Sequence, residues 1–130
     1  MLDINRVTLL GRAGRDPEIR ELRGGERTAS FSLATTERWK DREGNPGEKT
    51  EWHRIVVYGG AVKAVETMVA KGAAVLVEGR LARREYRDKE DNARQATEIV
   101  VAGPQAMVNV LSPRPKDGGA PAGSGGDGEG

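Results

Sequence analysis

The chain has 130 residues, with 21 lysines and arginines against 20 aspartates and glutamates, and it contains no cysteine. This length predicts one domain with its own hydrophobic core, and the lack of cysteine excludes disulfides, thiolate catalysis and cysteine-based zinc sites. A net charge of +1 allows a local track of positive charge for a polyanion, but not a basic domain.

The first part of the chain predicts two long strands and a short one. Residues 4–13 alternate with apolar side chains on both faces, and two glycines interrupt the pattern where a strand of a small barrel would bend. A short edge strand at 18–22 and a glycine-rich turn follow. Residues 28–36 predict the second long strand, in which we assign Phe31 to the core.

Residues 37–49 are rich in charge and in turn-forming residues, and they predict an exposed loop. Trp39 lies in this loop among Arg38, Lys40 and Arg42. A tryptophan with charged neighbours on both sides is a poor core residue. We therefore assign it an exposed stacking role, with packing against the stem of the loop as the alternative.

The third strand, residues 50–58, is the most informative stretch. Strand alternation places Trp52, Arg54 and Tyr58 on one face. Aromatic rings offer bases a stacking surface and a guanidinium offers a phosphate paired donors, so this face predicts a surface for single-stranded nucleic acid. The alternative is that the two rings are core residues, as many aromatic side chains are.

The rest of the ordered chain predicts one helix and two strands. Residues 61–71 have valine and methionine at helical spacing and end at a glycine, which indicates a short amphipathic helix. A strand at 73–81 continues its alternation to Tyr86, which repeats the pairing of an aromatic residue with nearby arginines. A charged turn at 87–93 precedes the last strand, residues 95–102. The inward residues of that strand are expected to be Thr97, Ile99 and Val101.

The end of the sequence differs in composition from the rest. Residues 112–130 are mostly glycine, proline, alanine and aspartate, so they predict a disordered tail behind an ordered domain at 1–111. The amino terminus lacks the apolar segment of a signal peptide, and no long apolar run follows it. We therefore expect a cytoplasmic protein that does not enter a membrane.

The order of elements predicts an all-β fold. Five main strands with one short helix between the third and the fourth are the arrangement of an OB-fold, a five-stranded Greek-key barrel, although other small barrels share it. Specific segments narrow the choice, namely NRVTLLG at 5–11, DPE at 16–18, FSLAT at 31–35, TEWHRIVVYG at 50–59, KG at 71–72 and VEGRL at 77–81. With these segments the chain resembles, from about residue 3 to about residue 110, bacterial single-stranded DNA-binding protein.

The resemblance implies a homotetramer of OB-folds around which single-stranded DNA wraps, without sequence readout, catalysis, cofactor or metal. Such a protein coats and protects single strands in DNA replication, recombination and repair, and is associated with the nucleoid. The DNA-binding residues that the resemblance implies are the aromatic residues Trp39, Trp52, Tyr58 and Tyr86, the arginines Arg54, Arg80 and Arg84 near them, and the basic residues Arg6, Lys63 and Lys71. His53 falls at a subunit interface. Glu85 stands where relatives often carry a basic residue, so we expect it to weaken binding beside Tyr86.

The resemblance also bears on protein partners. Bacterial relatives usually end in a short acidic tip with bulky apolar residues, which docks on replication and repair enzymes. The last six residues here are GGDGEG, with two carboxylates and no bulky apolar residue. Exposed charge pairs contribute only about 0–1 kcal/mol, so we expect weak recruitment of those enzymes.

Three other classes of protein remain as alternatives. One is an OB-fold RNA binder of the cold-shock or initiation-factor kind, since stacking surfaces accept either sugar. Another is a replication-restart module that acts mainly through protein contacts, although such relatives tend to lack the aromatic-bearing segment at 37–49. An enzyme is least favoured, because the sequence has no nucleophile with its base, no glycine-rich phosphate loop and no metal-ligand cluster, and His53 alone builds none of these.

Overall fold

A computed structural model describes residues 2–112, so the predicted tail lies outside the described residues except for Ser112. The elements are β1 (Val7–Ala13), β2 (Glu18–Glu21), a 3-10 turn (Arg23–Gly25), β3 (Arg27–Lys40), β4 (Pro46–Tyr58), α1 (Ala61–Met68), β5 (Ala74–Arg87), β6 (Ala93–Val101) and β7 (Met107–Val110). No helix in this part of the chain is long and apolar enough to cross a membrane.

Five of the strands form a closed barrel in the order β1, β3, β4, β6, β5, and β1 closes it by pairing with β5. Neighbouring strands are antiparallel except β4 and β6, which are parallel. β2 pairs with β3, and β7 pairs with β5. Because α1 lies between the third and fourth barrel strands, the prediction of a five-stranded OB-fold with one helix at this point is confirmed.

Gly11 marks the place where β1 passes from one neighbour to the other. Residues up to Arg12 pair with β5, and the pairing with β3 begins where Arg12 lies opposite Ala34. A Cβ atom on Gly11 would collide with the carbonyl oxygen of Ala34. The absence of a side chain therefore allows the close approach of two backbones that barrel closure requires.

The core fills the barrel and continues under α1. Phe31 is buried, as predicted, and Ile55 and Val57 point inward from β4. The other large side chains that are fully buried are Leu33, Val65, Val69, Val75, Val77 and Val101. β-branched residues fit such a curved sheet interior well because they pack tightly on a pleated surface.

The segment predicted as a loop at 37–49 is mostly strand, so that prediction is wrong. β3 and β4 stay paired as far as Lys40 opposite Pro46, which leaves only residues 41–45 as a loop. Arg38 and Glu48 form an ion pair across the two strands, with 3.2 Å between Nε and Oε1. Charged residues can follow one another here because both faces of a projecting two-stranded ribbon reach water. We call residues 36–50 the first arm.

β5 and β6 also extend past the barrel as a paired ribbon, which we call the second arm (residues 83–97). The charged turn predicted at its tip is present. Ile99 and Val101 lie in the core as predicted, but Thr97 is exposed because it belongs to the arm and not to the barrel. β7 was not predicted, since its four residues are too few to show a clear alternation.

The tips of the two arms share one hydrogen-bonded turn. In each, an aspartate Oδ1 atom accepts bonds from the backbone N–H groups two and four positions later, at 2.9 and 2.8 Å for Asp41 and at 3.0 and 2.9 Å for Asp88. The residue three positions after the aspartate is left-handed, with φ of 83° at Gly44 and 65° at Asp91. The first turn therefore has glycine where the second has a residue with a side chain.

Hydrogen bonds from backbone and side-chain donors lower the pKa of both aspartates. The backbone N–H of Asn45 is the main cause for the lowered pKa of Asp41. For Asp88 the main cause of the lowered pKa is the guanidinium of Arg94, whose Nε atom lies 2.9 Å from Oδ2. Donors that favour the ionised carboxylate make it harder to protonate.

Candidate nucleic-acid interface

Six of the predicted binding residues lie on one outward side of the barrel. Strand register places Arg54 of β4 beside Glu98 of β6, and Glu98 beside Ala82 of β5. Side chains two positions apart share a face of a strand. The outward side of β4, β6 and β5, here called the outer face, therefore carries Trp52, Arg54 and Tyr58 from β4 and Arg80, Arg84 and Tyr86 from β5.

The three rings on the outer face are accessible. Trp52 is 61% exposed, Tyr58 41% and Tyr86 44%, so the interpretation of Trp52 and Tyr58 as core residues is wrong. The guanidinium carbon of Arg84 lies 5.7 Å from the centre of the Tyr86 ring, a cation–π distance. The outer face thus alternates exposed aromatic surface with positive charge.

A groove with a volume of about 870 Å³ runs along the outer face beside the start of α1. It brings together four predicted residues, namely Tyr58, Lys63, Arg80 and Arg84. We call it the main groove. A smaller hollow of about 350 Å³, the side depression, shares Tyr58, Arg84 and Glu98 with the main groove and adds Arg54. Together they form a continuous concave track in which lysine and arginine outnumber the two acidic residues, Glu26 and Glu98.

The track continues to Arg6 at one end. Arg6 and Arg80 line the same small pocket of about 140 Å³, which shares Arg80, Val100 and Ala102 with the main groove. Arg6 Nε lies 3.2 Å from Glu78 Oε2, and its side chain remains 59% exposed. The structure therefore brings Arg6 beside the other predicted residues but gives it an acidic partner.

Lys71 and Trp52 lie beside the turn that follows β1 and line none of the three hollows of this track. The Trp52 ring lies against Gly14, where an added Cβ would come within 2.5 Å of Cζ3. The backbone N–H of Lys71 donates to Asp16 Oδ1 at 3.0 Å, which holds Lys71 close to the same turn after β1. Arg12, which the sequence analysis did not select, lies in line with Trp52 across β3, since both are opposite Ala34. Strand parity could have identified it.

Trp39 is the one predicted aromatic residue that the structure does not bring to the outer face. In the first arm it lies opposite Gly47, and a Cβ atom there would come within 2.5 Å of its indole ring. Because strand side chains alternate, Trp39 points to the same side of β3 as Leu33. Trp52 is opposite Ala34 and therefore points to the other side. Trp39 is 48% exposed and lines a separate hollow with Arg38 and Lys40.

Glu98 lies at the centre of the outer face, although the sequence pattern does not predict a role for it. Its side chain is only 8% exposed, and its Oε2 atom accepts from Arg84 Nε at 2.9 Å and from Arg54 Nε at 3.3 Å. An outward carboxylate in an apolar strand was visible in the sequence, but its two partners come from other strands. Only the strand order brings them together.

Glu85 does not lie where we expected it to act. It is opposite Gln95, on the face of the second arm away from Tyr86. Neighbours in a strand point to opposite sides, so the Glu85 carboxylate points away from the Tyr86 ring. Its effect on binding stays a prediction, and this placement makes the expected effect small.

His53 lies on the inner side of β4 opposite Leu33 and is half-buried. Its Nε2 atom is 2.8 Å from Thr35 Oγ1, so within the chain it has a hydrogen-bond partner. Among residues 2–112 no three histidine, aspartate or glutamate side chains converge as metal ligands. The role of His53 at a subunit interface stays a prediction.

The chain is similar in sequence and in fold to single-stranded DNA-binding proteins. The model of the single-strand binding protein family matches residues 4–108. The single-stranded DNA-binding protein 1 of Xylella fastidiosa is 44% identical over 108 residues, which are 82% of this chain and 79% of that protein. The single-stranded DNA-binding protein of Rhizobium meliloti is 43% identical over 118 residues, 89% of this chain and 68% of the relative.

A third relative and a solved structure extend the comparison. The single-stranded DNA-binding protein of Neisseria meningitidis is 42% identical over 99 residues, which cover 76% of this chain and 57% of that protein. The Plasmodium falciparum SSB in complex with ssDNA superimposes with a TM-score of 0.79 at 37% identity, and the match covers 86% of this chain and 98% of that one.

Proposed function

The chain belongs to the single-strand binding protein family, and on that premise we propose that it binds single-stranded DNA without sequence preference and without catalysis. In the cell it coats and protects single strands during replication, recombination and repair, as a cytoplasmic, nucleoid-associated protein. The observation that carries this proposal is the outer face, where three exposed rings lie among arginines and where a concave track is lined by Tyr58 with Arg54, Arg80 and Arg84.

The chemistry of the track supports binding without sequence readout. Every base has a face that can stack on an aromatic ring, and each such stack contributes about 1–3 kcal/mol. Arginine and lysine recognise the phosphates that all nucleotides share. We assign stacking to Trp52, Tyr58 and Tyr86, with Trp39 as a separate stacking residue on the first arm. Phosphate contacts are assigned to Arg6, Arg54, Lys63, Lys71, Arg80 and Arg84.

Fluorescence titration with unstructured oligonucleotides tests the proposal. We expect single-stranded DNA to quench tryptophan emission, with similar affinity for different base compositions and with a steep loss of affinity as salt rises. Duplex DNA and a matched RNA oligomer serve as competitors. Equal competition by RNA would favour the RNA-binder alternative, and a flat salt response would contradict the phosphate assignments.

We further propose that the protein assembles as a homotetramer. Strand register places Leu10, Leu76 and Met107 on one outward side of β1, β5 and β7, and Leu10 and Met107 are exposed. Within residues 2–112, the part of β1 before Arg12 pairs with β5 alone, so its other edge can accept a strand from a second copy. Sedimentation should give the tetramer mass, and Leu10→Glu should lower it. A monomer at micromolar concentration would contradict this assembly.

A further inference from the structure

Glu98 is a buried acid in the middle of a surface that we assign to a polyanion. A buried carboxylate destabilises a protein unless it is paired, and Arg54 and Arg84 supply that pairing through their Nε atoms, 3.3 and 2.9 Å from the same oxygen. If the arginines served only to neutralise Glu98, they could be buried together with it. Their side chains instead remain 47% and 52% exposed.

The exposed part of each arginine is the end that can bind a ligand. Both guanidinium groups meet Glu98 through Nε, and within residues 2–112 no other residue pairs with either of them. Arg84 is also held over the Tyr86 ring. Both arginines line the side depression together with Tyr58. Two guanidinium groups that Glu98 holds therefore line one hollow beside the Tyr58 ring, and each has further N–H donors that a ligand can use.

We propose that Glu98 is a positioning residue that holds Arg54 and Arg84 as a single two-pronged binding site for one phosphate of the DNA strand. This inference rests on the proposed function. A free arginine loses much rotamer freedom when it binds a phosphate, and Glu98 removes that freedom before the DNA arrives. The planar guanidinium can bond to Glu98 through Nε and to a phosphate through Nη, which a lysine ammonium cannot do with the same geometry.

A positioning role for Glu98 and a purely repulsive role predict opposite changes in DNA affinity for the substitution Glu98→Gln. If Glu98 acts only as a negative charge near the phosphates, Glu98→Gln should strengthen DNA binding. If Glu98 positions the arginines, the same substitution should weaken binding about tenfold, because an amide replaces two charge-assisted bonds and the two guanidinium groups are left to repel each other.

The test measures the affinity of the full-length protein for a thymidine oligonucleotide at several salt concentrations. The control is Glu85→Gln, which makes the same charge change on the other face of the second arm, where we expect little effect. Thermal melting checks that each variant is folded. Arg84→Lys should also lose about tenfold, and the double variant Glu98→Gln/Arg84→Lys should lose no more than either alone, since both break one unit.

The outcomes separate this inference from the proposed function. Failure of the unmodified protein to bind any single strand overturns both. Normal binding by the unmodified protein, with tighter binding by Glu98→Gln or additive losses in the double variant, overturns the positioning role alone.

If Glu98→Gln fails to fold, nuclear magnetic resonance of the unmodified protein decides the matter. The Nε–H signals of Arg54 and Arg84 should be protected from exchange before DNA is added and should stay so in the complex, while the Nη signals shift. Unprotected Nε–H signals in the free protein would overturn the proposal.

Discussion

Trp39 and Trp52 lie on opposite sides of one two-stranded ribbon. Trp52 is opposite Ala34 of β3, so both side chains point to the same side of the ribbon. Trp39 is five positions after Ala34 in β3, and residues an odd number of positions apart in a strand point to opposite sides. A short oligonucleotide that occupies the outer face therefore reaches Trp52 without passing Trp39. The two rings should contribute to binding at different oligonucleotide lengths.

Alanine substitution of each tryptophan tests this separation. Trp52→Ala should lose about 1–3 kcal/mol of affinity for an oligonucleotide of about eight nucleotides, the typical contribution of one stack. Trp39→Ala should leave that affinity nearly unchanged and should weaken binding only when the oligonucleotide is long enough to cross the edge of the ribbon. Fluorescence anisotropy over a length series measures both. Equal losses at the shortest length would contradict the assignment of the rings to separate surfaces.

Two glycines support the tryptophans and allow each ring to be moved separately. A Cβ atom on Gly14 would come within 2.5 Å of Trp52, and one on Gly47 within 2.5 Å of Trp39. Gly14→Ala should therefore displace Trp52 and reduce the quenching caused by a short oligonucleotide, while Gly47→Ala should change only the response to long ones. The emission spectrum of each free variant shows whether its ring has moved. If both variants quench like the unmodified protein, the rings do not depend on these contacts.

The twin turns at the arm tips give a prediction about stability. Asp91 adopts the left-handed conformation that Gly44 adopts in the first turn. This conformation is unfavourable for a residue with a Cβ atom, less so for aspartate than for most others. Asp91→Gly should raise the free energy of unfolding by about 0.5–1 kcal/mol. Urea denaturation measures the change.

Gly44→Asp is the matched reverse substitution and should lower the free energy of unfolding by a similar amount. A loss of stability in Asp91→Gly would mean that the Asp91 side chain contributes more to the second turn than its backbone strain costs.

Acid should loosen the arm tips before the barrel. The pKa of Asp41 and of Asp88 is lowered from 3.8 in the folded protein, so the stabilising contribution of each is complete above the unfolded value and is lost as the pH falls through the folded one. Amide shifts of Asn45 and Asn92, whose N–H groups bond to these carboxylates, should therefore move below about pH 4. Asp41→Asn and Asp88→Asn should each abolish the pH response of their own turn only. Shifts that move at higher pH would assign the transition to another group.

The sequence predicted the outer face well because alternation is a local property. Trp52, Arg54 and Tyr58 share a face whatever lies beside β4, and Arg80, Arg84 and Tyr86 do so on β5. That the two rows meet depends on β6 lying between them, which strand periodicity does not determine. The ion pairs of Glu98 depend on the same non-local order.

The sequence predictions failed at the first arm, whose strands are stabilised by cross-strand pairing and not by burial of apolar side chains. The first arm is a paired ribbon of charged residues, and its strands extend through Trp39 without the apolar alternation that marks a barrel strand. The orientation of Glu85 relative to Tyr86 follows from parity, which turns the two side chains apart. The position of Trp39 relative to Trp52 likewise follows from the register of the arm, which a predicted loop did not have.

The insertion of β6 between β4 and β5 also constrains how the protein folds. β6 is the last of the five barrel strands to be synthesised, yet it fills the middle of the outer face. Until the ribosome has released Val101, β4 and β5 have unpaired edges facing each other, and the arginines have no carboxylate between them. β6 pairs with β5 as a local hairpin, but its pairing with β4 joins residues as far apart as Arg54 and Glu98, which are 44 positions apart. Pairings between residues so distant in sequence form slowly. During synthesis the nascent chain therefore exposes two unpaired strand edges, which can pair with other chains and aggregate, at the place where the binding surface will form. The pairing of β6 both covers these edges and completes the binding surface.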